Sequence, residues 1–210
     1  VKSIRLKKGR ERSLLLRHPW IFASAVQSVS GDPAIGEVIN VTDDSGKNIA
    51  KAAYSPNSQI RARVWTFNPE EPVNDEFLYG RILAAQERRL RLPFYKNATA
   101  LRLLYGEADG LPGLIVDKYN DTLVMQILSA GAEFFKDKLI ETLKTIYQPE
   151  CIFERSDVEV RALEGLQERK GLVYGSQPKE GMRIEENGIN YKVDIVEGQK
   201  TGFYLDQREN

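Results

Sequence analysis

The residue types best suited to chemistry sit at the two ends of the sequence. Near the C-terminal end, Lys200, Thr201, Asp206, Gln207 and Arg208 stand among Gly198, Gly202, Phe203 and Tyr204. Cations, a hydroxyl, a carboxylate and an amide in one short span mark the rim of a site. A plain connecting loop in which Phe203, Tyr204 and Leu205 pack is the alternative. At the other end Lys2, Arg5, Lys7, Lys8, Arg10, Arg12 and Arg17 face a single acid, Glu11. Such a cluster can contact phosphates, releasing counterions and making binding salt-dependent. It can equally be a solvated helix face, and both readings stay open.

Candidates for covalent or metal chemistry are few. Cys151 is the one cysteine and His18 the one histidine, which excludes an internal disulfide and a zinc site built mainly from Cys and His. Cys151 enters an apolar strand with no histidine beside it and reads as structural. His18 has no carboxylate or nucleophile nearby and reads as structural or solvent-facing. The glycine-rich stretch 106–113 matches neither phosphate-binding spacing, and its Glu107 and Asp109 would repel phosphate. It reads as a tight loop whose glycines supply unusual backbone angles. No catalytic residue and no metal ligand is nominated.

The elements that must position these residues follow from periodicity. Residues 9–17 predict a short helix burying Leu14, Leu15 and Leu16, ended by Pro19. Trp20 and Phe22 alternate about Ile21 as in a strand entering a core. Short strands follow over 36–67. In the last of them Ile60, Ala62, Val64 and Thr66 share one face, while Arg61, Arg63, Trp65 and Phe67 share the other. Strands at this spacing predict a small β-barrel, and an exposed face carrying Arg61, Arg63 and Trp65 would suit RNA. The Pro- and acid-rich stretch 68–75 reads as a linker, and 76–92 as an amphipathic helix. Beyond it come strands over 101–105, 114–119 and 122–128, a helix over 132–147, a strand at 151–155 and another at 172–174. The stretch 158–170 is not placed. Asn187-Gly188 between two apolar runs predicts a hairpin.

The whole is an α+β chain: a barrel over 1–70, a linker and helix over 71–95, a small strand-strand-helix-strand-strand domain over 96–180, and a hairpin with the start of a further domain over 181–210. With 30 basic and 30 acidic residues the net charge is zero, so any attraction to nucleic acid is local rather than global. No run approaches the length of a membrane span and no apolar leader is evident. A cytoplasmic protein without a membrane partner is expected. Monomer and homodimer are both open.

Four motifs occur in order: Lys8-Gly-Arg-Glu-Arg12 with His18-Pro-Trp-Ile-Phe22, then Gly106-Glu-Ala-Asp-Gly-Leu-Pro-Gly113, then Glu154-Arg-Ser-Asp157, then Gly198-Gln-Lys-Thr-Gly-Phe-Tyr-Leu-Asp-Gln-Arg208. Together they resemble the N-terminal half of the ribosomal RNA large subunit methyltransferase I family. The resemblance implies an RNA-binding PUA domain, a central α+β domain and a Rossmann-like domain that binds S-adenosylmethionine. Family members methylate carbon 5 of a cytosine in 23S ribosomal RNA. The local charge excess makes Lys7, Lys8, Arg10, Arg12 and Arg17 RNA-binding candidates, and the strand face adds Arg61 and Arg63. By the resemblance Lys200, Thr201, Gly202, Phe203, Asp206, Gln207 and Arg208 become cofactor-proximal. No strand with a glycine-rich turn follows Arg208, so the Rossmann-like domain is expected to be missing. The 210 residues alone are then expected to be inactive and to bind S-adenosylmethionine weakly or not at all. A stand-alone PUA-type module, or a relative acting on another RNA base, are the other readings.

Overall fold

The computed structural model describes residues 1–93 and 95–205, and the side chain at 96 is left aside. The first unit is a six-stranded sheet in the order β2-β6-β5-β4-β1-β3. Its strands are β1 (Ser3–Leu6), β2 (Trp20–Phe22), β3 (Val26–Ser30), β4 (Val38–Thr42), β5 (Asn48–Tyr54) and β6 (Ile60–Thr66). β1 and β4 run parallel and the other pairs antiparallel. The two edge strands, β2 and β3, are separated in sequence only by the 3-10 turn Ala23–Ala25, so the sheet must curl until its edges approach. Ile4, Leu6, Ile21, Val41, Ala62 and Val64 fill the curl.

Two local expectations change here. The first helix, α1, spans only Arg12–Leu15, and of its leucines Leu14 alone is buried while Leu15 and Leu16 are exposed. One turn cannot present a wide apolar stripe. In β2 the alternation holds but the faces are inverted. Ile21 pairs with Ala62 and points into the core, so Trp20 and Phe22 point out.

Helix α2 (Asp75–Leu90) starts where the Asn74 side chain accepts a hydrogen bond from the Phe77 N–H at 3.0 Å, with Asp75 and Glu76 favourably placed in its first turn. It buries Phe77, Leu78, Ile82 and Ala85, whereas Leu90 is exposed. Next comes a five-stranded sheet in the order β11-β10-β9-β8-β7. Its strands are β7 (Ala100–Tyr105), β8 (Leu114–Tyr119), β9 (Thr122–Ile127), β10 (Cys151–Ser156) and β11 (Arg169–Gly175). Three strands therefore precede the helical segment, which corrects the expected strand-strand-helix-strand-strand order. β8 and β9 are a hairpin turning at Asn120, whose φ of 51° lies in the left-handed region. The helical segment is a crossover that makes β10 parallel to β9. It is two helices, α3 (Ala130–Phe134) and α4 (Lys136–Tyr147), with the break at Phe135. The unplaced stretch holds α5 (Val160–Leu163).

The two sheets share a core. Trp65 of β6 is buried between Phe77 and Phe135, with ring centroids 6.4 and 5.0 Å away. Gly131 of α3 permits this approach: a Cβ there would lie 2.4 Å from the Ala53 Cβ and 2.8 Å from the Trp65 Nε1. The expected exposed face of β6 is thus largely covered by the second unit. The chain then forms the hairpin of β12 (Met182–Glu186) and β13 (Ile189–Val193), with Asn187 and Gly188 both at positive φ as a two-residue turn of this type requires. Met182, Ile184, Val193 and Ile195 pack on Ala100, Tyr119 and Val124 of the five-stranded sheet. Among the described residues no helix is long and apolar enough to cross a membrane, and no cluster of His, Cys, Asp and Glu could hold a metal.

Candidate functional site

The N-terminal basic residues form an exposed surface. Lys7, Lys8, Arg10, Arg12 and Arg17 are all exposed. Lys7 is steadied by its Nζ donating to the Ser24 carbonyl at 2.9 Å. Arg17, at a left-handed φ of 64°, lays its guanidinium 5.0 Å from the centre of the Phe67 ring. Directly after it His18, Trp20 and Phe22 form a three-ring cluster with centroid separations of 5.9 to 6.4 Å.

Arg61 and Arg63 belong to a different environment. Arg61 donates to the Pro56 carbonyl within its own loop. Arg63 lies under the second unit: its Nη2 is 3.0 Å from Glu164 Oε1, its Nη1 is 3.8 Å from Glu107, and its guanidinium sits 5.5 Å from the Trp20 ring centre. The same Glu107 accepts a hydrogen bond from Trp20 Nε1 at 2.8 Å. An inter-unit clamp therefore occupies Arg63, while the five residues of the 7–17 segment remain free toward solvent.

A cleft of about 630 Å³ opens beside this clamp, lined by Arg17, Phe67, Arg81, Arg88, Glu107 and Asp109. Its floor is the 106–113 loop, held by Asp109. Burial by itself would raise the Asp109 carboxyl, but hydrogen bonds from Arg89, Arg88 and the Tyr105 N–H outweigh it and hold the group below the usual carboxylate range. Gly110 and Gly113 sit at φ 72° and 80°, so this loop is a structural turn with the glycines at its strained positions.

At the other end, Thr201 is fully buried and donates to Asp117 Oδ2 at 2.5 Å, with the Tyr119 hydroxyl 3.1 Å away. Asp117 is itself held by Arg102 at 2.8 and 3.0 Å. Burial, reinforced by Asp117, pushes the Tyr119 phenol well up. Arg155 donates to the carbonyls of Ile195 and Gly198 at 2.8 and 2.9 Å while pairing with Asp157. Lys200 is exposed, with a left-handed φ of 55° and its ammonium 4.4 Å from the Tyr204 ring centre. Gly202 adopts φ 127°, and Phe203 packs on Tyr191. Asp206, Gln207 and Arg208 lie outside the described residues. Among the candidates here, Thr201 faces inward and anchors the segment, leaving Lys200 as an outward-facing cation.

Sequence reasoning missed Glu107, Asp117, Arg155, Arg161 and Glu164. Arg155 and Glu107 carried a signal as members of the motifs Glu154-Arg-Ser-Asp157 and Gly106–Gly113, but neither pointed to these contacts. Arg161 is fully buried, bonded to the Ile127 and Gln167 carbonyls and to Glu133. Cys151 is buried on β10, and burial pushes its thiol up, as suits a structural cysteine.

Comparison with known proteins adds the following. Residues 4–67 match the PUA-like domain family. The chain is 54% identical to the ribosomal RNA large subunit methyltransferase I of Aeromonas hydrophila, covering 99% of this chain and 53% of that protein. It is 51% identical to the proteins of the same name from Photobacterium profundum and Vibrio cholerae, covering 99% of this chain and 53% and 52% of those proteins. Two solved structures superpose over all of this chain at 19% identity, each with 52% of its own length covered. They are a putative SAM-dependent methyltransferase from Streptococcus mutans, at TM-score 0.81, and a putative methyltransferase complexed with SAH, at TM-score 0.83. The chain spans about half the length of the curated relatives it matches. These matches overturn the expectation of a missing Rossmann-like domain. All of the chain aligns within methyltransferases of about twice its length, so the absence of a domain is not a property that the chain displays. At this identity, sustained along nearly the entire sequence, the chain is similar to about half of each ribosomal RNA large subunit methyltransferase I protein it matches, with a PUA-like domain over residues 4–67.

Proposed function

We propose that this chain is the RNA-recognising part of an S-adenosylmethionine-dependent methyltransferase acting on carbon 5 of a cytosine in 23S ribosomal RNA. The observation that carries the reading is the exposed basic surface of Lys7, Lys8, Arg10, Arg12 and Arg17 on a unit matching the PUA-like family. A neutral chain that concentrates cations on one edge binds polyanions through that edge. In this reading residues 1–70 hold the RNA, 96–180 form the scaffold, and 181–205 lead toward the methyl donor, with Lys200 turned outward toward it. The names of the relatives support the ribosomal RNA substrate, and the SAH-bound neighbour supports the cofactor.

Methylating a pyrimidine carbon requires a nucleophile to add to the ring and make carbon 5 electron-rich, a role suited to a cysteine thiolate. Cys151 does not fill it, being buried in a strand with a raised thiol. The 210 residues by themselves are therefore proposed to bind RNA without transferring methyl groups. The test uses full-length protein with labelled S-adenosylmethionine and unmodified 23S RNA. Methyl label at cytosine carbon 5 is expected. Lys8→Glu with Arg12→Glu should weaken RNA binding and flatten its salt dependence by about two phosphate contacts. Label on another base, or an unchanged affinity and salt slope, would defeat the reading.

A further inference from the structure

We propose that His18, Trp20 and Phe22 form a stacking platform for an unpaired nucleobase, adjoining the phosphate-contacting basic segment. This rests on the RNA-binding reading above and specifies what kind of RNA the site takes. β2 is an edge strand, and because Ile21 occupies the core, its neighbours must face solvent. Trp20 is 37% and Phe22 46% exposed.

Fixed geometry distinguishes this cluster from stray surface aromatics. The Trp20 N–H donates to His18 Nδ1 at 3.2 Å, while the indole Nε1 is held by Glu107. Arg63, itself clamped by Glu164, backs the indole ring. Trp20 stands edge-on to both neighbours, at 89° to His18 and 82° to Phe22. A Trp20 ring held in this way loses little freedom when a flat ligand arrives and gives its neighbours a fixed wall to pack on, so ordering the site offsets little of the stacking.

The occupant follows from the surroundings. Lys7, Lys8, Arg10, Arg12 and Arg17 immediately precede the rings and are exposed, so the ligand joins planar apolar groups to a row of negative charge. Nucleic acid has that composition, and its base faces are available only where the strand is unpaired. An anionic membrane also joins apolar matter to negative charge. A membrane anchor, however, gains from rings free to plunge, whereas Trp20 at the centre of the cluster is tied back by Glu107 and Arg63.

The experiment measures affinity of full-length protein for a labelled single-stranded RNA decamer and for a blunt RNA duplex of equal length. Phe22→Leu keeps apolar bulk but removes the ring face, and Phe22→Tyr keeps the face. Phe22→Leu should lower single-strand affinity about 5- to 100-fold, with duplex affinity and both salt slopes unchanged. Phe22→Tyr should bind as wild type does. Equal loss on both RNAs, no loss on either, or rings covered by the remainder of the protein so that Phe22→Leu lowers only Tm, would overturn the platform while leaving RNA recognition standing. Loss of binding to anionic vesicles with RNA affinity intact would do the same. Failure of wild-type protein to bind either RNA would remove both readings.

Discussion

Replacing Arg63 separates structural clamping from phosphate contact. Its side chain is 13% exposed and reaches the Glu164 side chain, which is 2% exposed, at 3.0 Å. Arg63→Ala strips the cation from that carboxylate and leaves it the Ala130 N–H at 3.2 Å as its other hydrogen-bond donor. Removing one member of a buried ion pair costs about 3–5 kcal/mol. The partly open second contact, with Glu107 at 30% exposure, argues for the lower end, about 3 kcal/mol. In a chain of this size each kcal/mol lowers Tm by roughly 2–4 °C, so thermal unfolding should shift down by roughly 6–12 °C. Pairing Arg63→Met with Glu164→Gln removes both charges at similar volume and should recover most of that loss, because no buried charge is then orphaned. The companion measurement is the salt slope of duplex-RNA binding, taken well below the lower Tm. A clamp leaves it unchanged, whereas a phosphate contact lowers it by about one. An unshifted Tm together with a reduced slope would refute the clamp and return Arg63 to the RNA surface.

Four further outcomes follow from the same geometry. Thr201→Val keeps the shape but removes the hydroxyl bonded to Asp117 and Tyr119. It should cost about 1–3 kcal/mol and speed hydrogen exchange at Gly198 and Gly202, and unchanged protection there would show that the hydroxyl does not anchor the segment. Gly113→Ala combines a φ of 80° with a Cβ 2.3 Å from Ser129 Oγ, so a loss of about 2 kcal/mol or more is expected in urea unfolding. The Asp109 carboxyl, lowered in the fold, contributes stability that is complete above its unfolded pKa near 4 and fades as pH falls through its folded value. Asp109→Asn should therefore flatten the stability curve below about pH 4, and an identical acid limb in the variant would contradict this. Cys151→Ala should leave the methylation rate of full-length protein unaltered while lowering Tm slightly, and abolished transfer would make Cys151 the nucleophile after all.

Local chemistry was legible in the sequence where a residue has few conformational options. Asn187-Gly188 had to turn because its φ values are accessible to those two residue types. The amphipathic pattern over 76–92 marked α2 itself, which in the structure starts one residue earlier, at Asp75. Properties set by partners distant in sequence were not legible. Alternation showed that Trp20 and Phe22 share a face, but only the pairing of Ile21 with Ala62 decides which face is inward. Arg63 read as the wet side of a strand because its partner lies 101 residues away. Thr201 read as a rim group because Asp117, 84 residues earlier, is what turns it inward. The buried Arg161 gave no signal, since a charged side chain enters a core only when acceptors such as Glu133 and the Ile127 carbonyl are already assembled.

One stretch, from Arg155 on β10 to Glu164 after α5, carries several such long-range contacts. Arg155 grips the carbonyls of Ile195 and Gly198 at the start of the C-terminal segment. Six residues on, Arg161 grips Glu133 of α3, the helix whose Gly131 lets Trp65 of the first unit approach. Three residues further, Glu164 grips Arg63, which backs Trp20. A single short run of backbone thus touches the aromatic edge, the inter-unit core and the C-terminal segment through buried charge-assisted contacts, each costly to break. Rigid elements joined this way transmit position rather than absorb it. A base seated on the edge formed by Trp20 and Phe22 would then be held at a fixed distance from Thr201, as recognition at one end and chemistry near the other would require. The motif Glu154-Arg-Ser-Asp157 accordingly has its physical meaning as a joint, with Arg155 as the side chain that ties the C-terminal segment to the scaffold.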